Sequence, residues 1–585
     1  MSVREATRLD PTPARDPSVT ESLTLALVGS GGDGVALLGD LTLELAARQG
    51  LYGMMVQSYG PQIRGGESAA IVRLCRDEVQ YEGNQVDLLL CFRTKDLKRF
   101  KGTLRIGARS IVVLEATDQA APPEWLGSFG EAPFRFAFSR LENGVEVAGP
   151  PKNMMGLALL CRALGWPRGM VEDLLAERFG KRPEVLASNL EAFSGAWAAE
   201  GMPALPALRG RGAPLVIESG NEAVARGAIE AGLGFFAGYP ITPSSEIMET
   251  LIDELPAAGG TIVQAEDEIA ALGMVLGASF GGVPAMTATS GPGLSLMTEM
   301  TGLAAMAELP AVIVDCQRAG PATGMPSRTE QSDLNHAIYG GHGDFPRVVL
   351  GAFDVVHARA VMGKAFHLAE KYQLPVLVLS DAYIAQRRQI RDATQPMRKA
   401  QGRERWKPGD GPARFAFDGP HGVVPFRVPG TPGGTYLAAG IEHSEEGNPT
   451  ADTTIHQRMN AKRFRKLDAI ATETRDWYRV LGDPDARRGI VAWGSQYGLL
   501  REWTLAHPTF RVFLPEILHP FPLEALRRWL EPLHWAGVLE LSYQGQFHRY
   551  LSGLLPFERV ASLSRSGGAP LSIDELSAML GEEAP

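Results

Sequence analysis

The chain has 585 residues, 45% of them hydrophobic, which is too long for a single core and predicts several globular domains. A formal net charge of −10 argues against nucleic acid or an anionic membrane surface as the main ligand. No apolar run approaches the roughly 18 residues that would cross a bilayer, so a membrane-spanning protein is not expected.

Residues 1–22 have mixed charge and several prolines but no apolar core. This composition predicts a disordered leader, not a signal peptide, and a cytoplasmic location. The four cysteines are widely separated and form no C-x-x-C pair: Cys75, Cys91, Cys161 and Cys316. The spacing predicts reduced thiols, with neither an iron–sulfur cluster nor a zinc site in this chain.

Residues 23–200 alternate apolar strands with helix-length segments, which predicts a first α/β domain. Predicted strands lie at 23–28, 52–57, 69–74, 87–92 and 111–114, with helices at 34–48, 154–164 and 170–179.

The turn Gly29-Ser-Gly-Gly-Asp-Gly34 fits the pattern G-x-G-x-x-G between a strand and a helix, which suits a phosphate at a helix N-terminus. NAD would require an acidic residue about 20 positions later, and Met54–Gln57 contains none. A turn that binds nothing and a site for another phosphate-bearing ligand both remain open. Arg64, in the glycine-rich segment Tyr59–Ser68, is either a surface residue or a partner for a phosphate or carboxylate.

Glu200–Pro214 is rich in glycine, proline and arginine and is predicted to be a linker. A second α/β domain follows over 213–385, with a helix from 219 to about 231. Its predicted strands lie at 234–237, 261–263, 284–287, 311–314, 347–350 and 375–379. Residues 386–430 are predicted to be irregular, and a basic helix follows near Met459–Leu467. The strand Gly489–Trp493 opens a third, smaller α/β domain.

The turn Tyr239-Pro-Ile-Thr-Pro243 is fixed by two prolines between a strand and a helix. Ser244 or Ser245 is predicted to cap that helix, since serine accepts well from the first helical N–H groups. Thr242 is the functional candidate, because both of its neighbours are rigidly placed.

Glu268 begins a helix of small residues directly after the strand 261–263. Such a carboxylate can contact a ligand while Gly273 and Gly277 let another backbone approach closely. The alternative is an acidic residue that only complements the helix dipole.

Arg318 follows the buried strand that contains Val312–Asp315, where ligands of open α/β sheets bind, although a structural salt bridge would explain it equally well. His342 lies in the segment Gly340–Pro346, and a single histidine is more often structural than catalytic.

These segments resemble the 2-oxoacid:ferredoxin oxidoreductases, specifically an α subunit with a γ-type domain fused at its N-terminus. The resemblance extends from about residue 23 to the end. Its motifs are Tyr239–Pro243, which matches YPITP, Glu266–Gly293, Gln317–Pro326, Gly340–Pro346, and the two glycine-rich segments of the first domain. The sequence departs from the family at Asp33, where glutamine is usual, and at Asp344, where glutamate is usual.

The resemblance implies an α/β multidomain fold. After the leader come a Rossmann-like γ domain (23–200), a thiamine-diphosphate pyrimidine-binding domain (213–385), an irregular excursion and linker (386–485), and a transketolase C-terminal-like domain (486–585).

It also implies roles for individual residues. Glu268 would hydrogen-bond N1′ of the aminopyrimidine, Arg318 would clamp the substrate carboxylate, and Thr242 would contact substrate or cofactor. The remaining implied residues are Tyr239, Pro240, Ser290 and Gly291 for thiamine diphosphate, and Gly29, Gly31, Gly34 and Arg64 for coenzyme A.

The diphosphate–magnesium motif of thiamine enzymes, GDG followed by Asn after about 25–30 residues, is not found at Gly32–Gly34 or at Gly409–Gly411. The resemblance therefore implies a β subunit that supplies Mg²⁺, the diphosphate contacts and a [4Fe-4S] cluster. An (αβ)₂ assembly that reduces ferredoxin is expected.

The expected reaction is the CoA-acylating oxidative decarboxylation of 2-oxoglutarate, with pyruvate, phenylglyoxylate and branched-chain 2-oxoacids as open alternatives. One rival is a self-sufficient thiamine decarboxylase or acetolactate-type enzyme, which would need the missing motif. A rival of another class is a non-catalytic module that binds nucleotides or CoA.

Overall fold

The computed structural model describes residues 20–59, 67–101, 104–118, 122–126, 132–142, 145–147, 149–212, 215–393, 400–411, 413–555 and 560–583. They form two compact units. The first comprises the described residues up to Ile217 together with Gln389–Ala393, and the second comprises Glu218–Arg388 and the described residues after 393. Residues 1–19 of the predicted leader lie outside the described residues.

The first unit is an α/β layer structure, as predicted. Its strands are β1 (Ser22–Ser30), β2 (Tyr52–Tyr59), β3 (Glu67–Cys75), β4 (Val86–Cys91), β5 (Ile106–Glu115), β6 (Phe134–Phe136), β7 (Arg140–Glu142), β8 (Val145–Val147) and β9 (Leu215–Ser219). Its helices are α1 (Val35–Arg48), α2 (Lys152–Ala163), α3 (Arg168–Phe179) and α4 (Pro183–Trp197). Strand β1 pairs antiparallel with β3 and parallel with β4, and its interior residues are buried because an apolar core covers each face.

The second unit begins with a parallel sheet and its helices. The strands are β10 (Phe235–Gly238), β11 (Thr261–Gln264), β12 (Ala285–Thr289), β13 (Ala311–Gln317), β14 (Val348–Gly351) and β15 (Pro375–Asp381). The helices are α5 (Gly220–Ala231), α6 (Ser245–Glu254), α7 (Glu268–Phe280), α8 (Gly291–Leu296), α9 (Thr298–Met306), α10 (Leu334–Tyr339), α11 (Val355–Tyr372) and α12 (Ala382–Ala385). Strands β10, β12, β13 and β15 are consecutive parallel neighbours, so their carboxyl ends share one edge.

The predicted irregular excursion begins with a strand, and this part of the prediction is wrong. Strand β16 (Arg388–Asp392) lies between β2 and β9 in the eight-stranded sheet, whose order is β6-β5-β4-β1-β3-β2-β16-β9. Ile390 is fully buried in the core of the first unit. One apolar side chain in a five-residue strand gives too little periodicity to be recognised in the sequence. Among the described residues between 400 and 452, the short 3₁₀ helix Pro420–Gly422 is the only helix or strand.

The C-terminal part of the second unit has its own sheet. It comprises α13 (Thr453–Glu473), β17 (Tyr478–Gly482), β18 (Arg488–Ala492), α14 (Gln496–Ala506), β19 (Phe510–Pro515), β20 (Ile517–His519), α15 (Leu523–Leu530), β21 (Trp535–Glu540), α16 (Gln546–Leu554), β22 (Val560–Ser564) and α17 (Ile573–Glu583). The sheet order is β17-β19-β18-β21-β22. In the chain, β17 comes before the strand at 489–493 that was expected to open this domain. Strand β20 instead pairs antiparallel with β14 in the parallel sheet. The proposed domain boundaries stay predictions.

Candidate active site

The candidate site residues of the second unit lie after three neighbouring strands. Tyr239 follows β10, Ser290 follows β12, and Arg318 follows β13. Carboxyl ends of parallel strands are where open α/β sheets bind ligands. Tyr239 is 41% exposed, and Pro240 and Thr242 are exposed as well.

Glu268 is the first residue of α7, as predicted. The helix begins there because Asp267 has extended backbone and its carboxylate accepts a hydrogen bond from the Ala270 N–H at 2.7 Å. Glu268 itself is only 6% exposed. Among the described residues none donates a hydrogen bond to its carboxylate, so the helix is capped without it and the carboxylate is left for another partner.

The segment after β12 packs closely against Glu268. A Cβ atom at Gly293 would lie 2.7 Å from Oε1 of Glu268, so only glycine permits this approach. Ser290 is fully buried, and its hydroxyl oxygen has no hydrogen-bond partner among the described residues. Two polar groups without partners among the described residues therefore lie near the start of α7 and α8, where Gly293 cannot be replaced by a larger residue without a clash.

Arg318 and Thr242 are joined directly. An Nη atom of Arg318 donates to the Thr242 carbonyl oxygen at 2.8 Å, although 76 residues separate them in the chain. The turn that carries Thr242 is held in turn by the buried Asn221 amide, which donates to the Pro243 carbonyl oxygen at 2.7 Å. Burial lowers the pKa of Arg318, and the nearby Asp333 opposes that effect.

The predicted serine cap of α6 is wrong. Ser244 precedes the helix, but its hydroxyl donates to the Ile241 carbonyl oxygen at 2.9 Å and caps no helical N–H group. Ser245 is the first helical residue. The hydroxyl therefore bonds to a backbone carbonyl of the proline turn and not to the helix. Serine side chains commonly choose between these two kinds of backbone partner.

Two carboxyl groups that were not predicted from the sequence lie in the segments that flank Arg318 in the chain. Asp315, in β13, is fully buried, and Asp333, before α10, is partly buried. Burial and the neighbouring Asp333 raise the pKa of Asp315, and a Cβ at Gly291 would lie 2.8 Å from an Asp333 carboxylate oxygen. An acidic residue inside the apolar run Ala311–Cys316 was the available signal, because a charge in a buried strand is rarely without function.

The glycine turn of the first unit borders a cavity of about 250 Å³. Gly29 is the second-last residue of β1, and Gly34, whose φ is 77°, directly precedes α1. The cavity is lined by Gly32–Gly34, Phe138, Ser139 and Gly149–Asn153. Asp33, one departure from the family pattern, accepts from the Ser30 N–H at 2.8 Å and lies 3.2 Å from Arg93 Nε and 3.5 Å from Lys152 Nζ. Its carboxylate thus fixes the turn.

Of the other candidates, His342 and Asp344 are not brought to these sites. Arg64 lies outside the described residues. His342 and Asp344 are exposed in the segment after α10 and make no hydrogen bond or ion pair with Glu268 or Arg318. All four cysteines are buried thiols. In the part of the chain that the structure describes, no helix has the length and apolar character to cross a membrane.

Two family profiles match the chain. Residues 24–199 match "Pyruvate ferredoxin/flavodoxin oxidoreductase". Residues 226–462 match "Pyruvate flavodoxin/ferredoxin oxidoreductase, thiamine diP-bdg".

Characterised relatives extend the similarity over nearly the whole chain. The 2-oxoglutarate oxidoreductase subunit KorA of Mycobacterium tuberculosis is 31% identical and covers 96% of this chain and 92% of its own. The 2-oxoglutarate synthase subunit KorA of Archaeoglobus fulgidus is 39% identical over 55% of this chain and 87% of its own.

A solved structure is similar throughout. The 2-oxoglutarate:ferredoxin oxidoreductase of Magnetococcus marinus, with 2-oxoglutarate, coenzyme A and succinyl-CoA bound, aligns with a TM-score of 0.86 at 32% identity. The match covers 96% of this chain and 100% of that chain.

Proposed function

This chain belongs to the 2-oxoacid:ferredoxin oxidoreductases as an α-type subunit with a fused γ-type domain, and we propose that its substrate is 2-oxoglutarate. The reaction converts 2-oxoglutarate and CoA to succinyl-CoA, CO₂ and a proton, and two electrons leave singly for two ferredoxins. The observation that carries this proposal is the full-length similarity to an enzyme that binds 2-oxoglutarate, CoA and succinyl-CoA. Pyruvate, phenylglyoxylate and branched-chain 2-oxoacids are the competing substrates.

Glu268 is proposed to hold thiamine diphosphate at its aminopyrimidine. The buried carboxylate has no partner among the described residues and faces Gly293, so it is suited to hold a proton at ring nitrogen N1′. Ser290 and Gly291, with Tyr239 and Pro240, would line the same ring. When bound, the cofactor supplies the carbon nucleophile that attacks the keto group.

Arg318 is proposed to bind the carboxylate that is lost as CO₂. One Nη atom is held by the Thr242 carbonyl, while Nε has no partner among the described residues, so the guanidinium keeps donors for a ligand. Thr242 is exposed beside it and supplies a hydroxyl for the substrate or the cofactor. Together they orient the oxoacid for attack.

Coenzyme A is proposed to bind at the glycine turn of the first unit. Gly29, Gly31 and Gly34 let the backbone come close to a phosphate, and α1 directs its N-terminus toward the turn. Lys152 lines the 250 Å³ cavity with its ammonium group 3.5 Å from the Asp33 carboxylate, and the cavity is large enough for part of the ligand. Arg64 is assigned to the same role from its motif alone.

A β subunit is proposed to complete the enzyme in an (αβ)₂ assembly in the cytoplasm. It would supply Mg²⁺, the diphosphate contacts and a [4Fe-4S] cluster. Large exposed side chains of the second unit, such as Tyr239, Tyr339 at 64% and Tyr543 at 83%, suit such an interface.

The test is co-expression with a candidate β subunit. We expect the chain alone to be colourless and inactive, and the complex to reduce a low-potential dye only with both 2-oxoglutarate and CoA. Preference for another 2-oxoacid would correct the substrate. Binding of CoA or adenine nucleotides, with no response to thiamine diphosphate in any complex, would favour the non-catalytic module instead.

A further inference from the structure

The glycine turn of the first unit contains an anion of its own. Asp33 is 9% exposed, and its Oδ2 accepts a hydrogen bond from the Ser30 N–H at 2.8 Å. A Cβ atom at Gly29 would lie 3.1 Å from the same oxygen, so the carboxylate lies close against the backbone of the turn. A phosphate that binds a glycine turn before a helix uses backbone N–H groups of this kind. Here one of those groups has an anionic partner from within the chain.

Two positive side chains converge on the Asp33 carboxylate. Arg93, which follows β4, places Nε 3.2 Å from Oδ2 and Nη2 3.4 Å from Oδ1. Lys152, the first residue of α2, places Nζ 3.5 Å from Oδ1. The side chain of Lys152 is 12% exposed and that of Asp33 is 7% exposed, so water screens this contact less than it would screen a pair on the open surface.

The cavity beside the turn therefore contains a cation whose charge is balanced from within the chain. Among the described residues that line the cavity, Asp33 and Lys152 are the charged ones, and their charges are opposite. Asp96 accepts a hydrogen bond from the Ser30 hydroxyl at 2.7 Å and adds a second acidic group to the turn. A phosphate in the cavity gains little net attraction until Lys152 or Arg93 turns from Asp33 to the ligand.

We propose that Asp33 competes with the phosphate groups of the ligand for Lys152 and Arg93, and that this competition lowers the affinity of the glycine turn for coenzyme A. Binding is then an exchange of anions, in which the ligand takes the cations that the carboxylate holds in the free protein. The inference rests on the proposed CoA site and makes Asp33 the residue that sets the CoA concentration the chain requires.

Calorimetric titration of the full chain with CoA tests the competition without turnover. Asp33→Asn keeps an oxygen that can accept from the Ser30 N–H but removes the negative charge, so Kd for CoA should fall on the order of tenfold at low salt. The gain should shrink as salt is added, because the variant site has one more uncompensated positive charge. An unchanged or higher Kd, or a gain that is independent of salt, overturns the proposal.

Asp87→Asn is the matched control. Asp87 in β4 also accepts a backbone hydrogen bond, from the Thr24 N–H at 2.7 Å, but it does not line the cavity. Its loss of charge should leave Kd for CoA unchanged. A gain in affinity as large as that of Asp33→Asn would show that the net charge of the unit is responsible, and would contradict the competition.

Lys152→Gln separates competition for the cation from simple charge repulsion. If Lys152 must leave Asp33 to bind the ligand, its loss should cost several-fold more affinity in the Asp33→Asn background than in the wild-type background. Equal costs in the two backgrounds contradict the competition. Should Asp33→Asn not fold, Asp33→Gln, which introduces the residue usual in the family, replaces it in every comparison.

Inorganic pyrophosphate is the second titrant, and it separates this inference from the CoA assignment. Tighter binding of pyrophosphate to Asp33→Asn than to wild type, with no binding of CoA to either protein, supports the competition and removes CoA from the turn. CoA-dependent turnover of the complex with the β subunit, with equal Kd for CoA in wild type and Asp33→Asn, keeps the proposed function and refutes the competition. Failure of both titrants to bind Asp33→Asn refutes it as well.

Discussion

Glu268 is 6% exposed, and the helix that it begins is capped by Asp267. Its position therefore serves neither capping nor an ion pair within the described residues. A carboxylate on a mostly buried residue, without a protein donor, has few groups that stabilise its charge. A ligand that hydrogen-bonds to the carboxylate would explain why an acidic residue lies there.

Replacing Glu268 by glutamine tests this role. Glutamine keeps the size and one acceptor but cannot take or hold the proton, so kcat of the complex should fall by roughly 10²–10⁴. Steady-state dye reduction gives the rate, and thermal unfolding shows whether the fold is intact. Glu249→Gln, at an exposed position of α6, is the control. Full activity in Glu268→Gln would remove Glu268 from the mechanism.

The turn between β1 and α1 depends on its glycines. Gly34 has φ 77°, and a Cβ there would lie 2.5 Å from Nδ2 of Asn153, a residue that lines the same cavity. Alanine would add about 1–2 kcal/mol of backbone strain and also push Asn153 into the cavity. The geometry of this element is thus set jointly by the turn and by the start of α2.

Gly34→Ala should therefore raise KM for CoA roughly tenfold while leaving KM for the 2-oxoacid nearly constant. The measurement is a CoA titration at saturating 2-oxoacid. Gly165→Ala is matched, since Gly165 has φ 67° in the same unit but no atom within 4 Å of the added Cβ. An equal effect of both substitutions would show that strain alone, and not the cavity, is responsible.

Helix α13 is polar in sequence but contributes buried charge. Lys462 and Lys466 both pair with the fully buried Glu308, whose carbonyl also accepts a hydrogen bond from Arg414 at 2.9 Å. Several positive groups surround one carboxylate, which lowers the pKa of Glu308 despite its burial. The cluster joins α13 and the segment before it to the end of α9.

Glu308→Gln should lower the free energy of unfolding by roughly 3–5 kcal/mol, because two buried ammonium groups lose their counter-ion. Denaturant unfolding measures the change, with the exposed Glu404→Gln as control. Since the folded pKa lies below the ordinary 4.5, the Glu308 contribution is present above that pH and is lost as the pH falls through the folded pKa. Wild type should lose stability on acidification more steeply than the variant, and parallel curves would contradict the assignment.

For the whole molecule, the two compact units each contain one of the proposed ligand sites. The glycine turn and its cavity belong to the first unit, while Glu268 and Arg318 belong to the second. The second unit also uses its C-terminal sheet to hold the active-site edge. Gln331 donates to the Trp493 carbonyl and accepts from the Leu541 N–H, both at 2.9 Å. Gln331, which lies 13 positions after Arg318, therefore depends on segments 162 and 210 positions away in the chain.

The sequence alone determined the alternation of strands and helices, the glycine turn, and the placement of Thr242, Glu268 and Arg318 after strands. These features follow from short-range pattern, because side-chain periodicity and proline or glycine positions act within a few residues. Family resemblance then supplied the chemistry expected of those residues.

Only the tertiary structure decided that β16 joins the first sheet, that Lys462 and Lys466 form buried ion pairs with Glu308, and that Arg318 donates to the Thr242 carbonyl. Each of these depends on a partner far away in the chain, and a polar residue shows the same local pattern whether its partner exists or not. Burial, and with it the energy of a charge, is a property of the packed fold and not of the segment.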